Sequence, residues 1–185
     1  MLASRLLCAP LLWLSLLCSC VAGGCKPTPE AAEPDSALEQ SMRSEPLEFS
    51  FPGGEDLVVS SESTRGRVTA LAFVTTYDMA SQLLLRRLAD VIVHFTPRAN
   101  AAAVVVEAPR YADLLPAYRD SLRLPFPVVM VDFGTQQGQG PFAGIQRVPT
   151  LLVLDKAGRE VARRQGALSA DEIEDELSSA SRSRP

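Results

Sequence analysis

Few side chains in this 185-residue sequence have the type and spacing that chemistry requires. Asp78 and Ser81 stand three apart at the start of a helix-forming run, Tyr77 precedes them, and the sole histidine, His94, follows later. A serine becomes a nucleophile only beside a base, and His94 lies about three and a half helical turns beyond Ser81. One histidine with no cysteine or carboxylate at ligand spacing makes a poor metal site, so neither a metal nor a cofactor is expected. The four cysteines, Cys8, Cys18, Cys20 and Cys25, all fall within the first 25 positions, and residues 26–185 contain none. Disulfide exchange and thiol peroxidase chemistry both need a thiolate to attack. Asp78 is placed to cap a helix N-terminus, Ser81 to bond locally in the first turn, and His94 to sit at a helix end favoured by the macrodipole. Tyr77 is either a packing residue or an exposed aromatic in a groove.

The N-terminus has the layout of an export signal. Arg5 precedes the apolar stretch Leu6–Leu17, which is followed by small residues and then Lys26. Pro10 and the Gly23-Gly24 pair interrupt what would otherwise be enough apolar length to span a bilayer, leaving a retained signal-anchor as the lesser reading. The segment resembles bacterial lipoprotein signals, in which a cysteine after small residues becomes the lipid-bearing first residue. Cys25 follows Ala22-Gly23-Gly24 and opens onto a polar segment, so it is the expected attachment point. Cys20, preceded by Leu17, Cys18 and Ser19, is the alternative, and an ordinary signal cleaved near Ala22–Gly24 is the other. The organisation expected is a signal over 1–24, a lipidated Cys25 with a flexible tether over 25–46, a folded domain over 47–178 and a frayed, disordered tail over 179–185. Pro27, Pro29 and Pro34 with Glu30, Glu33, Asp35 and Glu39 give the tether little to bury.

Charge narrows the partners. The chain carries 18 Lys and Arg against 22 Asp and Glu. Removing 1–24 takes away Arg5 alone, so the mature chain is more acidic still, without a basic run to attract nucleic acid. At 46% hydrophobic it is no disordered chain.

The remainder alternates strand and helix signals. Leu47–Phe51 and Asp56–Ser60 flank Pro52-Gly53-Gly54 and predict a small hairpin. Arg67–Thr75 reads as a buried central strand. Met79–His94 predicts a helix with Leu83, Leu84, Leu88, Val91, Ile92 and Phe95 on its apolar stripe. A second buried strand at Ala101–Val106 leads to a helix at Tyr111–Leu122 carrying Leu114, Leu115, Tyr118 and Leu122. Val128–Val131 is a third strand, followed by a glycine-rich loop over Gly134–Gly144. Thr150–Leu154 and Glu160–Arg164 form a hairpin around Asp155-Lys156-Ala157-Gly158. A closing helix runs over Ser169–Ser178, its Ser169 and Glu172 set as a capping box. This order predicts an α/β sandwich with a mixed sheet.

Three stretches resemble the membrane-associated thioredoxin-like proteins of the TlpA/ResA and redoxin type. They are Phe49–Leu57 with Arg65–Val68, then Phe73–Ser81, and most specifically Arg147–Val161 ending in Gly166. The resemblance implies a thioredoxin-like three-layer α/β sandwich with a mixed sheet and an N-terminal β-hairpin extension. On the family's Trp-Cys-x-x-Cys motif, Tyr77 stands at the tryptophan, Asp78 at the attacking cysteine and Ser81 at the resolving one. A second alignment, to the copper site of Sco-type proteins, loses both thiolates as well. Pro149 is an ordinary turn proline from sequence alone; the resemblance makes it cis and implies that Val148 offers its backbone to an extended peptide.

The expected function is a redox-inert, membrane-tethered thioredoxin-fold module of the bacterial cell envelope, facing periplasm or exterior. It would bind a peptide or envelope protein in a groove formed by Tyr77, Asp78, Ser81, Val148 and Pro149, and would bind no nucleic acid. The rivals are a family-type thiol-disulfide oxidoreductase or antioxidant enzyme, and a structural surface lipoprotein.

Overall fold

The computed structural model describes residues 45–53, 57–145 and 147–183. The expected signal, Cys25 and all of the tether but its last two residues, Glu45 and Pro46, lie outside them, as does the Gly54–Asp56 part of the first turn. Among the described residues no helix is long and apolar enough to cross a membrane.

A short hairpin opens the domain, with β1 (Ser50–Pro52) antiparallel to β2 (Val58–Ser60). After a one-turn helix α1 (Ser61–Thr64) come β3 (Val68–Val74), α2 (Met79–Phe95) and β4 (Ala99–Val105). A 3-10 segment, Pro109–Leu114, leads into α3 (Leu115–Leu122), then β5 (Val128–Met130) and the one-turn α4 (Phe133–Gln136). The chain closes with β6 (Thr150–Leu154), β7 (Glu160–Gln165) and α5 (Ala170–Arg182). The main sheet has the order β5-β4-β3-β6-β7. Strands β3, β4 and β5 are parallel, joined through helices as parallel pairs must be, while β6 and β7 run antiparallel to their neighbours. This is the mixed-sheet thioredoxin-like α/β fold with an N-terminal hairpin.

The pleat of the sheet sorts its side chains to two cores. Val68, Ala70, Ala72 and Val74 of β3 face Leu84, Leu85, Leu88, Val91 and Ile92 of α2, with Ile173 and Leu177 of α5. Leu71 and Phe73 face the other way, where the cover is the N-terminal segment and the glycine-rich loop rather than a helical layer. Phe49, Phe51, Phe73 and Phe142 form one aromatic cluster there, with ring centroids 5.2 Å apart for Phe73–Phe142 and 5.3 Å for Phe51–Phe142. Those spacings fall within the favourable range for aromatic pairs. Ala102 on the adjacent strand leaves room for the rings.

Several expectations are corrected. Leu83 is partly exposed and Leu85 takes its place in the core, because the buried stripe of α2 runs one position later. Leu114 is exposed, since the predicted second helix begins as a 3-10 turn and Pro116 sets the α-helical start only at Leu115. The tail expected to fray from Ser179 instead continues α5 to Arg182, because Ala180 is buried against the core. The capping box of Ser169 and Glu172 is present as expected, and Asp155 anchors the last turn by accepting from the amides of Ala157 and Arg159 at 2.8 and 3.0 Å.

Candidate functional site

The carboxyl ends of β3, β4 and β5 share one edge of the sheet, and the start of β6 joins them there. Phe73 lies opposite Thr150, so Pro149 falls beside the residues that follow β3. Chain segments leaving such an edge are where α/β sheets place their sites. Tyr77, Asp78 and Ser81 leave β3, Glu107 leaves β4, Phe133 leaves β5, and Val148-Pro149 enters β6.

Asp78 is the N-cap of α2. Its Oδ1 accepts from the Ala80 amide at 3.2 Å and its Oδ2 from the Ser81 amide at 2.8 Å. The Ser81 hydroxyl donates to the same Oδ2 at 2.7 Å and accepts from the Thr75 amide at 3.3 Å. The Ser81 hydroxyl and amide hold the Asp78 carboxyl below its ordinary value, against a smaller opposing effect of burial. A carboxyl held ionised in this way is a weak base, and Ser81 has no solvent exposure. The pair is therefore suited to fixing the start of α2 and poorly suited to attack on a substrate.

Two residues not singled out as site residues in the sequence, Glu107 and Tyr118, complete this edge. Glu107 accepts through Oε1 from the Thr76 amide at 2.5 Å and the Thr76 hydroxyl at 2.7 Å. Gln82 donates to the Thr76 carbonyl at 3.2 Å, so the residue before Tyr77 is held from both sides. Tyr118 of α3 places its hydroxyl close enough to feel two carboxylates. Burial first, then the charges of Glu107 and Asp78, push its phenol up to about 12. Its oxygen and that of Thr75 are buried without a hydrogen-bond partner among the described residues. The helical spacing that marked Tyr118 as core gave no sign of this, and Glu107 carried no local signal because its partner is 31 positions away.

Above this polar layer the surface is apolar. Tyr77 is 81% exposed, Met79 82%, Phe133 72% and Leu114 57%. Val148 is half-buried and Pro149 buried, with a cis bond between them. Of the expected groove residues, Tyr77 is exposed and Asp78 and Val148 are half-buried, whereas Pro149 is buried and Ser81 is enclosed beneath Asp78 as its hydrogen-bond partner. His94, at the far end of α2, is exposed. Among the described residues there is no group of three side chains able to hold a metal ion.

No protein-family model matches the sequence, and no curated relative does. Solved structures do match. The DsbF homologue from Corynebacterium diphtheriae superposes with a TM-score of 0.63 at 16% identity, over 73% of this chain and 85% of that one. A secreted Mycobacterium tuberculosis disulfide oxidoreductase homologous to E. coli DsbE gives 0.58 at 16%, over 72% and 96%. The pneumococcal exposed lipoprotein thioredoxin Etrx1 from Streptococcus pneumoniae gives 0.60 at 18%, over 71% and 98%. The fold of the described residues is thus the thioredoxin-like fold that these structures share.

Proposed function

We propose that this chain is an exported thioredoxin-fold module that has given up thiol exchange and binds an extended peptide or envelope protein at the carboxyl edge of its sheet. The observation that carries the reading is the exposure of Tyr77 on a backbone pinned through Thr76. An aromatic with two side-chain torsions on a held backbone loses little freedom on binding, and Met79 and Phe133 add further exposed apolar surface. The backbone of Val148 makes no hydrogen bond among the described residues, which suits main-chain pairing with an added strand. Asp78 and Ser81 then serve as the frame beneath the contact surface. Residues 26–185 supply no thiol to a mixed disulfide.

Lipid on Cys25 would hold the module at a bacterial envelope membrane. The layout of residues 1–25 supports this, and among the structural neighbours one is described as an exposed lipoprotein and another as secreted. A Cys25→Ser chain should lose fatty-acid labelling and leave the membrane fraction; labelling that persists moves the acceptor to Cys20.

The test of the binding surface compares partner capture from native envelopes by the intact protein, by Tyr77→Ala and by Asp78→Asn. Tyr77→Ala should lose the partner at unchanged melting temperature, by about 2 kcal/mol if the ring is a hot spot. Asp78→Asn should retain it, since an asparagine cap still accepts the helix amides. Full retention by Tyr77→Ala with lowered stability would leave only a packing role for the ring.

A further inference from the structure

The opposite edge of the sheet holds a second, chemically different feature. Thr69 lies opposite Leu154, so Arg67, just before β3, and Lys156, just after β6, emerge side by side. The Gly66 amide donates to the Lys156 carbonyl at 2.9 Å and ties the two loops together. His94 arrives there from the last turn of α2, Arg98 from the start of β4, and Arg182 from the last turn of α5. Together they line a cleft of about 700 Å³ whose one carboxylate among the described residues is Glu174.

Four permanent cations facing one acid are conspicuous in a chain with a net charge of −4. Outside the cleft, Arg65, Arg159, Arg163 and Arg164 pair with carboxylates, and Arg87 and Arg119 are taken up by backbone carbonyls. In the cleft none of the four makes an ion pair among the described residues. Arg67 donates to the Asn100 side-chain oxygen at 3.5 Å and Arg98 to the His94 carbonyl at 3.4 Å, both neutral acceptors. Compensation of helix dipoles accounts for His94 and Arg182. It does not account for Arg67 and Lys156, which belong to strand ends.

We propose that this cleft binds a phosphate-bearing anion. A monocarboxylate would neutralise one cation of the four, whereas a phosphate group carries nearly two charges and accepts the forked donors of several guanidinium groups at once. The volume is that of a small-molecule site and exceeds what a bare ion needs, so the phosphate belongs to a larger molecule, either a free phosphorylated compound or a lipid headgroup. The site is independent of the partner surface proposed above, which lies at the other end of the strands.

The test is calorimetric titration of the full chain in a neutral detergent with two probes, inorganic pyrophosphate and the short-chain lipid dihexanoyl-phosphatidic acid, whose headgroup is a phosphomonoester. At least one should bind at a single site, with affinity that falls as salt rises. The exposed pair Arg67→Gln with Lys156→Gln should weaken that binding about ten-fold or more, while Arg86→Gln, which removes a charge from the outer face of α2, should not. Tighter binding of pyrophosphate assigns the cleft to a free phosphorylated compound, and tighter binding of the lipid assigns it to a headgroup. Should the double variant fold poorly, Arg98→Gln with Arg182→Gln reads the same cleft from its helical side. The proposal is overturned if neither probe binds, or if the cleft variants bind as tightly as the unaltered protein.

Discussion

The Ser81 hydroxyl bridges Asp78 Oδ2, 2.7 Å away, to the Thr75 amide, 3.3 Å away, and so joins the first turn of α2 to the end of β3. Both side chains are consumed by this architecture. Positions that the thioredoxin resemblance assigns to thiols are occupied by a helix cap and its buried support.

Restoring the thiols tests whether the scaffold alone would support exchange. Residues three apart in a helix place their Cα atoms within disulfide range, and a thiol at a helix N-terminus has a lowered pKa. In a Cys25→Ser background, Asp78→Cys with Ser81→Cys should therefore gain thiol-dependent reduction of a disulfide substrate, and Ser81→Cys alone should not. Turnover by the chain without new cysteines would overturn the redox-inert reading.

Acid should remove the cap. Asp78 has a folded value below its ordinary one, so its contribution to stability is complete above the ordinary value and is lost as pH falls through the lowered one. Glu172 behaves alike, held down by the Ser169 amide and hydroxyl. Thermal unfolding followed from neutral to acid pH should show this loss, and Asp78→Asn should flatten part of it.

Alkali should reveal Tyr118. A phenol raised to about 12 keeps its proton longer in the folded state, so stability falls as pH climbs from about 10, the ordinary tyrosine value, toward that figure. The tyrosinate absorbance should contain a late component that disappears in Tyr118→Phe. Glu107→Gln removes one of the two charges responsible and should shift that component to lower pH.

The aromatic cluster should dominate the stability of the hairpin face. Phe51 is fully buried and touches Phe49, Phe73 and Phe142. Phe51→Ala should cost about 3–5 kcal/mol, measured by denaturant unfolding, whereas truncating the exposed Phe133 should cost little.

What was legible in the sequence was local. The β-branched run of β3, the helical period of α2 and the two caps at Asp78 and Ser169 each announce themselves within a few residues, and the structure places these elements as read. Faces were harder: Leu83 and Leu114 have the same hydrophobicity as their buried neighbours, and only the docking angle of α2 and the 3-10 start before α3 decide that they face outward. Phe142 sits in a glycine-rich loop with no period to mark it as core. At the site, Asp78 was readable as a cap, but the hold of Glu107 on Thr76 and the coupling of Tyr118 to two carboxylates arise from neighbouring strands and cannot be inferred from spacing.

The N-terminal segment sets an order of events. The Leu47 amide bonds to the Gly158 carbonyl at 2.8 Å, Pro46 bridges to Arg159, and Gly53 bridges to Val129. A chain that emerges N-terminus first therefore offers Leu47, Phe49 and Phe51 before Val129, Phe142 and Leu154, which complete their cover, exist. The first stretch of the domain lacks its partners at Gly158 and Arg159 until the final hairpin arrives. Contacts so distant in sequence delay folding, and a chain that stays open until its last third has appeared is one that can still be threaded through a narrow channel.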